Sequence, residues 1–270
     1  TEVYRFYDGP IDNPEDGPEG RINAWPLDEA YIDYVQGKPE LGIVNDTSIE
    51  ISAEELASLN EEGGEKNIAT GYHAIEFLLW GQDLSEDGPG DRPFTDYVVG
   101  DGENAERRAE YLKTVSELLV SDLTRLVDAW APDEDNYRKE FEAAAPEEQL
   151  RRILTGMITL SGVETGGERL QAALDTGDQE DEHSCFSDNT HRDMIVDIIG
   201  IQNVYLGKYT ALDGSEVSGT SIHDVIAAKD EDLAEKLTVR IQTSLDLAND
   251  LETPFDREIS KDNEEGQARV

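Results

Sequence analysis

His73 and Glu76 stand three residues apart in the run Gly71-Tyr72-His73-Ala74-Ile75-Glu76-Phe77-Leu78-Leu79-Trp80-Gly81. On a helix that spacing places both side chains on one face, one above the other. An imidazole nitrogen and a carboxylate oxygen so placed form half of a transition-metal ligand set. The setting sharpens the point, because the window from Asn67 to Gln82 holds a single formal charge, Glu76, in a chain of which 31% is charged. An ionised carboxylate in an apolar helix costs several kcal/mol unless it is paired, hydrogen-bonded or bound to a metal. His73, an arginine or a buried water would make Glu76 a plain structural pair. A bound metal would make His73 and Glu76 ligands, with Glu76 able to act as general base toward a metal-bound water.

Two ligands need company from other helices. The cluster Ser187-Asp188-Asn189-Thr190-His191-Arg192-Asp193 supplies candidates in Asp188 and His191, although Ser, Asp and Asn in that order also read as an ordinary helix start. A third lone carboxylate, Glu164, follows an uncharged run, and Arg169 is placed to pair with it or with Glu76. Gly156, Gly162, Gly166 and Gly167 in this region weaken a helix and suggest close approach of a neighbouring one. Trp25 and Asp28 are further supporting candidates. His183 and His223 sit beside acidic loops and read as surface residues, and Cys185, the only cysteine, as a small buried one. A zinc peptidase commonly shows H-E-x-x-H; His73 has no histidine at 69 or 77, and His191 none at 187 or 195.

The elements that must position these groups read as helices. Ser52-Ala53-Glu54-Glu55 is a capping-box pattern opening a helix through about residue 60. A second is expected over 65–82, with Ile68, Tyr72, Ile75 and Leu79 as one apolar stripe and burial over most of its circumference. Leu112, Val115, Leu118, Leu119, Leu123, Leu126, Val127 and Trp130 recur at three- and four-residue steps and predict a long helix over 103–130. Further helices are expected at 135–145, 147–175 (opening at Pro146), 190–210, 221–228 and 230–250. Residues 1–47, rich in Gly, Pro and Asp, read as ordered loop around Tyr4, Phe6, Tyr7, Trp25, Tyr31 and Tyr34, with a short helix near 27–35. No segment alternates with period two. The expectation is all-α, as two packed antiparallel helical bundles behind a long irregular N-terminal segment, divided at 1–130 and 131–270.

Composition limits the partners. The 270 residues carry 62 acidic and 22 basic side chains, a formal charge of −40. Nucleic acid and anionic membrane surfaces need a basic face and are excluded as partners; cations are the natural counter-species. No run is long and apolar enough to span a membrane. A single cysteine leaves no internal disulfide. The acids are spread along the chain, as on proteins that stay hydrated in saline surroundings.

The Gly71–Gly81 run is similar to the G-x-H-x-x-E signature of the imelysin family, which includes iron-regulated protein A types. Thr1-Glu2-Val3-Tyr4-Arg5-Phe6-Tyr7-Asp8-Gly9-Pro10, Asn23-Ala24-Trp25-Pro26-Leu27-Asp28-Glu29 and Phe186-Ser187-Asp188-Asn189-Thr190-His191 also resemble family segments, in the family's order. The resemblance implies an all-α fold of two bundle-like halves with the signature helix near their interface, a periplasmic or other cell-envelope location, and association with iron acquisition. It carries a reported insulin-cleaving metallopeptidase activity as an alternative. Relative to the family, further helices before Thr1 and after Pro254-Phe255-Asp256 are absent from this sequence.

The resulting expectation is an envelope-associated, imelysin-like metal-binding protein linked to iron uptake, with His73, Glu76, Asp188 and His191 as metal ligands. Iron stands first, with zinc or calcium as alternatives. An envelope protein of an iron-uptake system is the expected partner. The competing readings are a metal-dependent peptidase using Glu76 and a non-catalytic helical module for an envelope partner.

Overall fold

A computed structural model describes residues 9–13, 17–85 and 87–270. Tyr4, Phe6 and Tyr7, expected as anchors, and residues 1–8 of the first family-like block lie outside the described residues. The chain is all-α and forms two compact units: residues 9–144 together with 183–188, and residues 145–182 together with 189–270. Among the described residues no helix is long and apolar enough to cross a membrane.

The first unit contains α1 (Glu19–Ile22), α2 (Glu29–Ile32), α3 (Ala53–Leu59), α4 (Gly71–Trp80), α5 (Ala105–Ala129) and α6 (Tyr137–Ala143). Its core joins Ile32, Val44, Leu56, Phe77, Leu78, Tyr111 and Val115 with Cys185 and Phe186. Of the stripe expected on the long helix α5, Val115, Leu119 and Leu126 are buried and Val127 faces solvent, while Tyr111, outside that stripe, is buried with them. At α3 the Ser52 hydroxyl caps the Glu55 N–H at 3.3 Å, while the Ser52 N–H donates to the Glu50 carbonyl, so the expected reciprocal box is only half made.

Helix α4 is shorter than the expected 65–82, and the cause is local. Asn60 Oδ1 accepts the N–H groups of Ala69 and Thr70 at 2.9 and 3.2 Å, which holds the approach to the helix extended. Gly71 then turns with φ +91°, and a Cβ there would meet the Ile22 carbonyl oxygen at 2.6 Å. Only glycine satisfies both demands. Burial is also less complete than the sequence suggests, since Tyr72, Leu79 and Trp80 are exposed.

A second feature ties this helix to the loops around it. Asp33, with no exposed surface, accepts from Arg92 Nη1 at 2.8 Å and from Arg108 Nε and Nη2 at 2.6 and 3.0 Å. Arg92 lies over the Phe77 ring, and its Nη2 donates to the Phe77 carbonyl at 3.4 Å. Both guanidinium groups stack on Tyr34, whose hydroxyl is pushed up to about 12 by burial and by its hydrogen bond to Asp96. Two arginines are tolerated here because the carboxylates of Asp33 and Asp96, backbone carbonyls and aromatic faces together replace water.

The second unit contains α7 (Pro146–Ile158), a π-helix (Thr159–Gln171), α8 (Ala172–Thr176), α9 (Thr190–Leu206), β1 (Lys208–Thr210), β2 (Glu216–Ser218), α10 (Ile222–Ala227), α11 (Glu231–Asn249), α12 (Phe255–Ile259) and α13 (Glu264–Arg269). α11 packs on α9 and α10, and the π-helix on α9. The expected helix over 147–175 is therefore helical throughout but wound differently in its middle. Three of its glycines do not admit a neighbouring helix: a Cβ at Gly162 would meet nothing within 4 Å, and at Gly166 and Gly167 only carbonyls of the same helix, whereas Gly156 is buried. Strands β1 and β2 form an antiparallel hairpin that the sequence hid, because all six positions are exposed and no burial alternation exists to be read.

Candidate metal centre

Helix α4 brings His73 and Glu76 together inside the first unit. Their side chains are 3% and 8% exposed as residues, and His73 Nδ1 lies 2.9 Å from Glu76 Oε2. The other oxygen, Oε1, accepts twice from Ser187, from its backbone N–H at 3.0 Å and from its hydroxyl at 2.6 Å. The lone carboxylate is compensated without any arginine.

Ser187 reaches Glu76 because residues 183–188 fold into this unit. Cys185 and Phe186 are buried, Phe186 packs 5.2 Å from the Phe77 ring, and its carbonyl accepts the Gly90 N–H at 3.0 Å. Asp188, at φ +53°, ends the turn in a left-handed conformation. The segment also delivers His183, which is buried and not the surface residue the acidic flanks suggested. Its ring stands edge-to-face against His73, centroids 4.6 Å apart, and Trp25 lies 4.9 Å from His73 on another side.

The imidazole of His73 is thus fixed by an aromatic wall and by a carboxylate at Nδ1. In the neutral imidazole, the tautomer that donates from Nδ1 to the Glu76 carboxylate leaves the lone pair on Nε2. Nε2 is buried and has no hydrogen-bond partner among the described residues. A carboxylate holding one imidazole nitrogen so that the other can bind is the arrangement that orients metal-bound histidines. The donor set therefore fits a metal ion.

The remaining candidates fall in different places. Asp188 is buried in the same unit, and one of its carboxylate oxygens lies within 4.8 Å of one from Asp83, also buried. Two such anions raise the local affinity for a cation. His191 belongs to the second unit, in the first turn of α9, where its Nδ1 is buried without a partner among the described residues. Asp28 caps α2 through the Ala30 N–H, and Glu164 pairs with Arg169 at 3.4 Å within the π-helix. Among the described residues neither unit by itself brings three His, Cys, Asp or Glu ligand atoms within 4.8 Å of one another.

Sequence reasoning missed Ser187 as the partner of Glu76 and His183 as the neighbour of His73. One signal was present: Cys185 and Phe186 are the only apolar side chains between Asp175 and Asp193, and such a pair in an acidic stretch marks an anchor.

No curated protein matches the chain. The imelysin family profile matches residues 1–270, from end to end, and so includes the G-x-H-x-x-E helix just described. The chain belongs to the imelysin family, for which a metal ion is the expected ligand.

Proposed function

We propose that this imelysin-family chain binds a metal ion through Nε2 of His73, with Glu76 holding the imidazole, and that it serves iron uptake at the cell envelope. One observation carries the metal reading: a buried imidazole nitrogen without a partner among the described residues, on a ring whose other nitrogen is held by a carboxylate. Leaving such an acceptor buried and unmet costs about 1–3 kcal/mol, which a bound cation removes. The buried carboxylates of Asp83 and Asp188 in the same unit favour the same class of ligand. Iron suits imidazole and carboxylate donors, and a formal charge of −40 concentrates cations around the molecule. The envelope setting and the iron-uptake partner follow from the family likeness of the Gly71–Gly81 and Phe186–His191 segments.

The test is calorimetry with Fe(II), Zn(II) and Ca(II), together with metal analysis of the purified protein, on wild type, His73→Ala and Glu76→Gln. The acidic surface gives weak binding everywhere, so only a strong site lost in His73→Ala counts in favour. Equal strong binding by wild type and His73→Ala would sink the reading. The metal retained at that site in the purified protein, rather than the one that titrates most tightly, identifies the cargo, because Zn(II) outbinds Fe(II) at most imidazole and carboxylate sites.

A further inference from the structure

The second unit holds an open cavity of about 550 Å³ between the π-helix, α9 and α11. Its volume lies in the range of roughly 300–1,000 Å³ usual for small-molecule sites. The walls are aliphatic, including Met157, Leu170, Ile198, Ile201, Leu237 and Ile241. Among the described residues no Asp or Glu lines it, although acids outnumber bases by 62 to 22 in the chain, and the charged residues that do are Arg240 and Arg269.

The two arginines are not equivalent. Arg269 is committed to Glu258, with hydrogen bonds of 2.8 and 2.6 Å, and to Glu252 at 3.2 Å. The Arg240 carbonyl, on α11, accepts from the Ser244 hydroxyl at 3.2 Å, but its guanidinium has no hydrogen-bond or ion-pair partner among the described residues. One cation is therefore left over at the edge of an apolar hollow, in a molecule where acidic partners are abundant elsewhere.

The wall facing α9 is the π-helix, which contributes Ser161, Thr165, Gly166 and Leu170. A π-wound stretch of 13 residues is rare, since the wider turn packs its own axis poorly, and such windings gather at functional sites. Thr165 is pinned by donating to Asp197 at 3.0 Å. The hollow is thus framed by a winding that propensity alone would not select. Water fills an apolar hollow poorly, and a chain of methylene groups fills it well.

We propose that this cavity binds one free long-chain carboxylate, its alkyl chain among the aliphatic walls and its head group on the Arg240 guanidinium. The carboxylate and guanidinium match in charge and planar geometry. The proposal is independent of the metal site, which lies in the other unit.

The test uses the full chain and cis-parinaric acid, whose fluorescence rises in an apolar site, with palmitate and 1-hexadecanol as competitors. Wild type is expected to bind one cis-parinarate per chain and to release it to palmitate. Arg240→Gln alters an exposed side chain and is expected to weaken palmitate about tenfold or more, while hexadecanol competes as before. Ile241→Trp, which occupies the hollow, is expected to abolish binding of both, with its fold checked by circular dichroism. Absence of saturable binding overturns the proposal, as does equal palmitate affinity in Arg240→Gln. Light scattering that shows a dimer disrupted by Ile241→Trp would assign the hollow to a second copy instead. Enhancement seen only with phospholipid vesicles would assign it to a bilayer acyl chain; either result also overturns the proposal.

Discussion

Ser187 donates both its backbone N–H and its hydroxyl to the same oxygen of Glu76, at 3.0 and 2.6 Å. The serine is 111 positions away in the chain, so the signature helix is completed by a segment that sequence proximity does not reveal. Ser187→Ala keeps the backbone bond and removes the hydroxyl, leaving a buried carboxylate with less compensation. The expected cost is about 1–3 kcal/mol in stability, and metal affinity should fall about 10–100-fold as the orientation of His73 loosens. Thermal melts and metal titration read both effects; an unchanged affinity with a lowered Tm would confine Ser187 to a packing role.

Asp33 is the single carboxylate shared by Arg92 and Arg108. Asp33→Ala leaves Arg108 without a carboxylate partner and Arg92 with Asp96 alone, at 3.1 Å, and removing one partner of a buried ion set costs about 3–5 kcal/mol. Urea unfolding should show that loss as a lower midpoint. Wild-type stability in this variant would mean that Asp96 and the carbonyls around it suffice for both arginines.

Gly71 carries φ +91° and faces the Ile22 carbonyl. Gly71→Ala should cost at least about 1–2 kcal/mol from backbone strain alone, with more from the displaced carbonyl. Because the same residue opens α4, His73 should lose its fixed position, and metal titration of the variant should show weaker binding even below its melting point.

Acid should weaken the second unit through Glu258. Its hydrogen bond to Arg269 outweighs burial and holds the carboxyl below its ordinary value. A depressed folded-state pKa means that the stabilisation is fully present above the unfolded value of 4.5 and is lost as pH falls through the folded value. Tm measured from pH 7 downward should therefore drop below about pH 4.5, and Glu258→Gln, already less stable at neutral pH, should drop less. Parallel curves for the two proteins would remove Glu258 from the acid response.

A formal charge of −40 predicts that Tm rises with added salt, as screening relieves self-repulsion. A salt series at constant pH checks it; a flat response would show that internal ion sets, not surface repulsion, govern stability.

The sequence made the helices legible where apolar residues recur on one face. The stripe of α5 and the Pro146 start of α7 follow from local rules, and α4 follows from its few charges. What escaped reading depends on contacts distant along the chain. His183 looked solvated because its neighbours are acidic, yet Cys185 and Phe186 pull it inward. Asp33, Arg92 and Arg108 give no signal separately, since each is an ordinary charged residue until folding brings the three together. The π-winding over Thr159–Gln171 keeps a helical composition and shows only in its hydrogen bonds. Within the candidate centre the pair His73 and Glu76 was readable from a three-residue spacing, whereas its completion by Ser187 was not.

The inward turn of Arg108 has a practical outcome for proteolysis. Its side chain is 2% exposed and its backbone lies within α5, whereas trypsin must grip an arginine on an extended chain. Scission between Arg108 and Ala109 therefore requires that the first unit open around its core. With protease in excess, so that cleavage outpaces reclosing, the rate at which that one fragment accumulates reports how often it opens, and peptide mapping of a partial digest becomes a clock for the unit that carries His73.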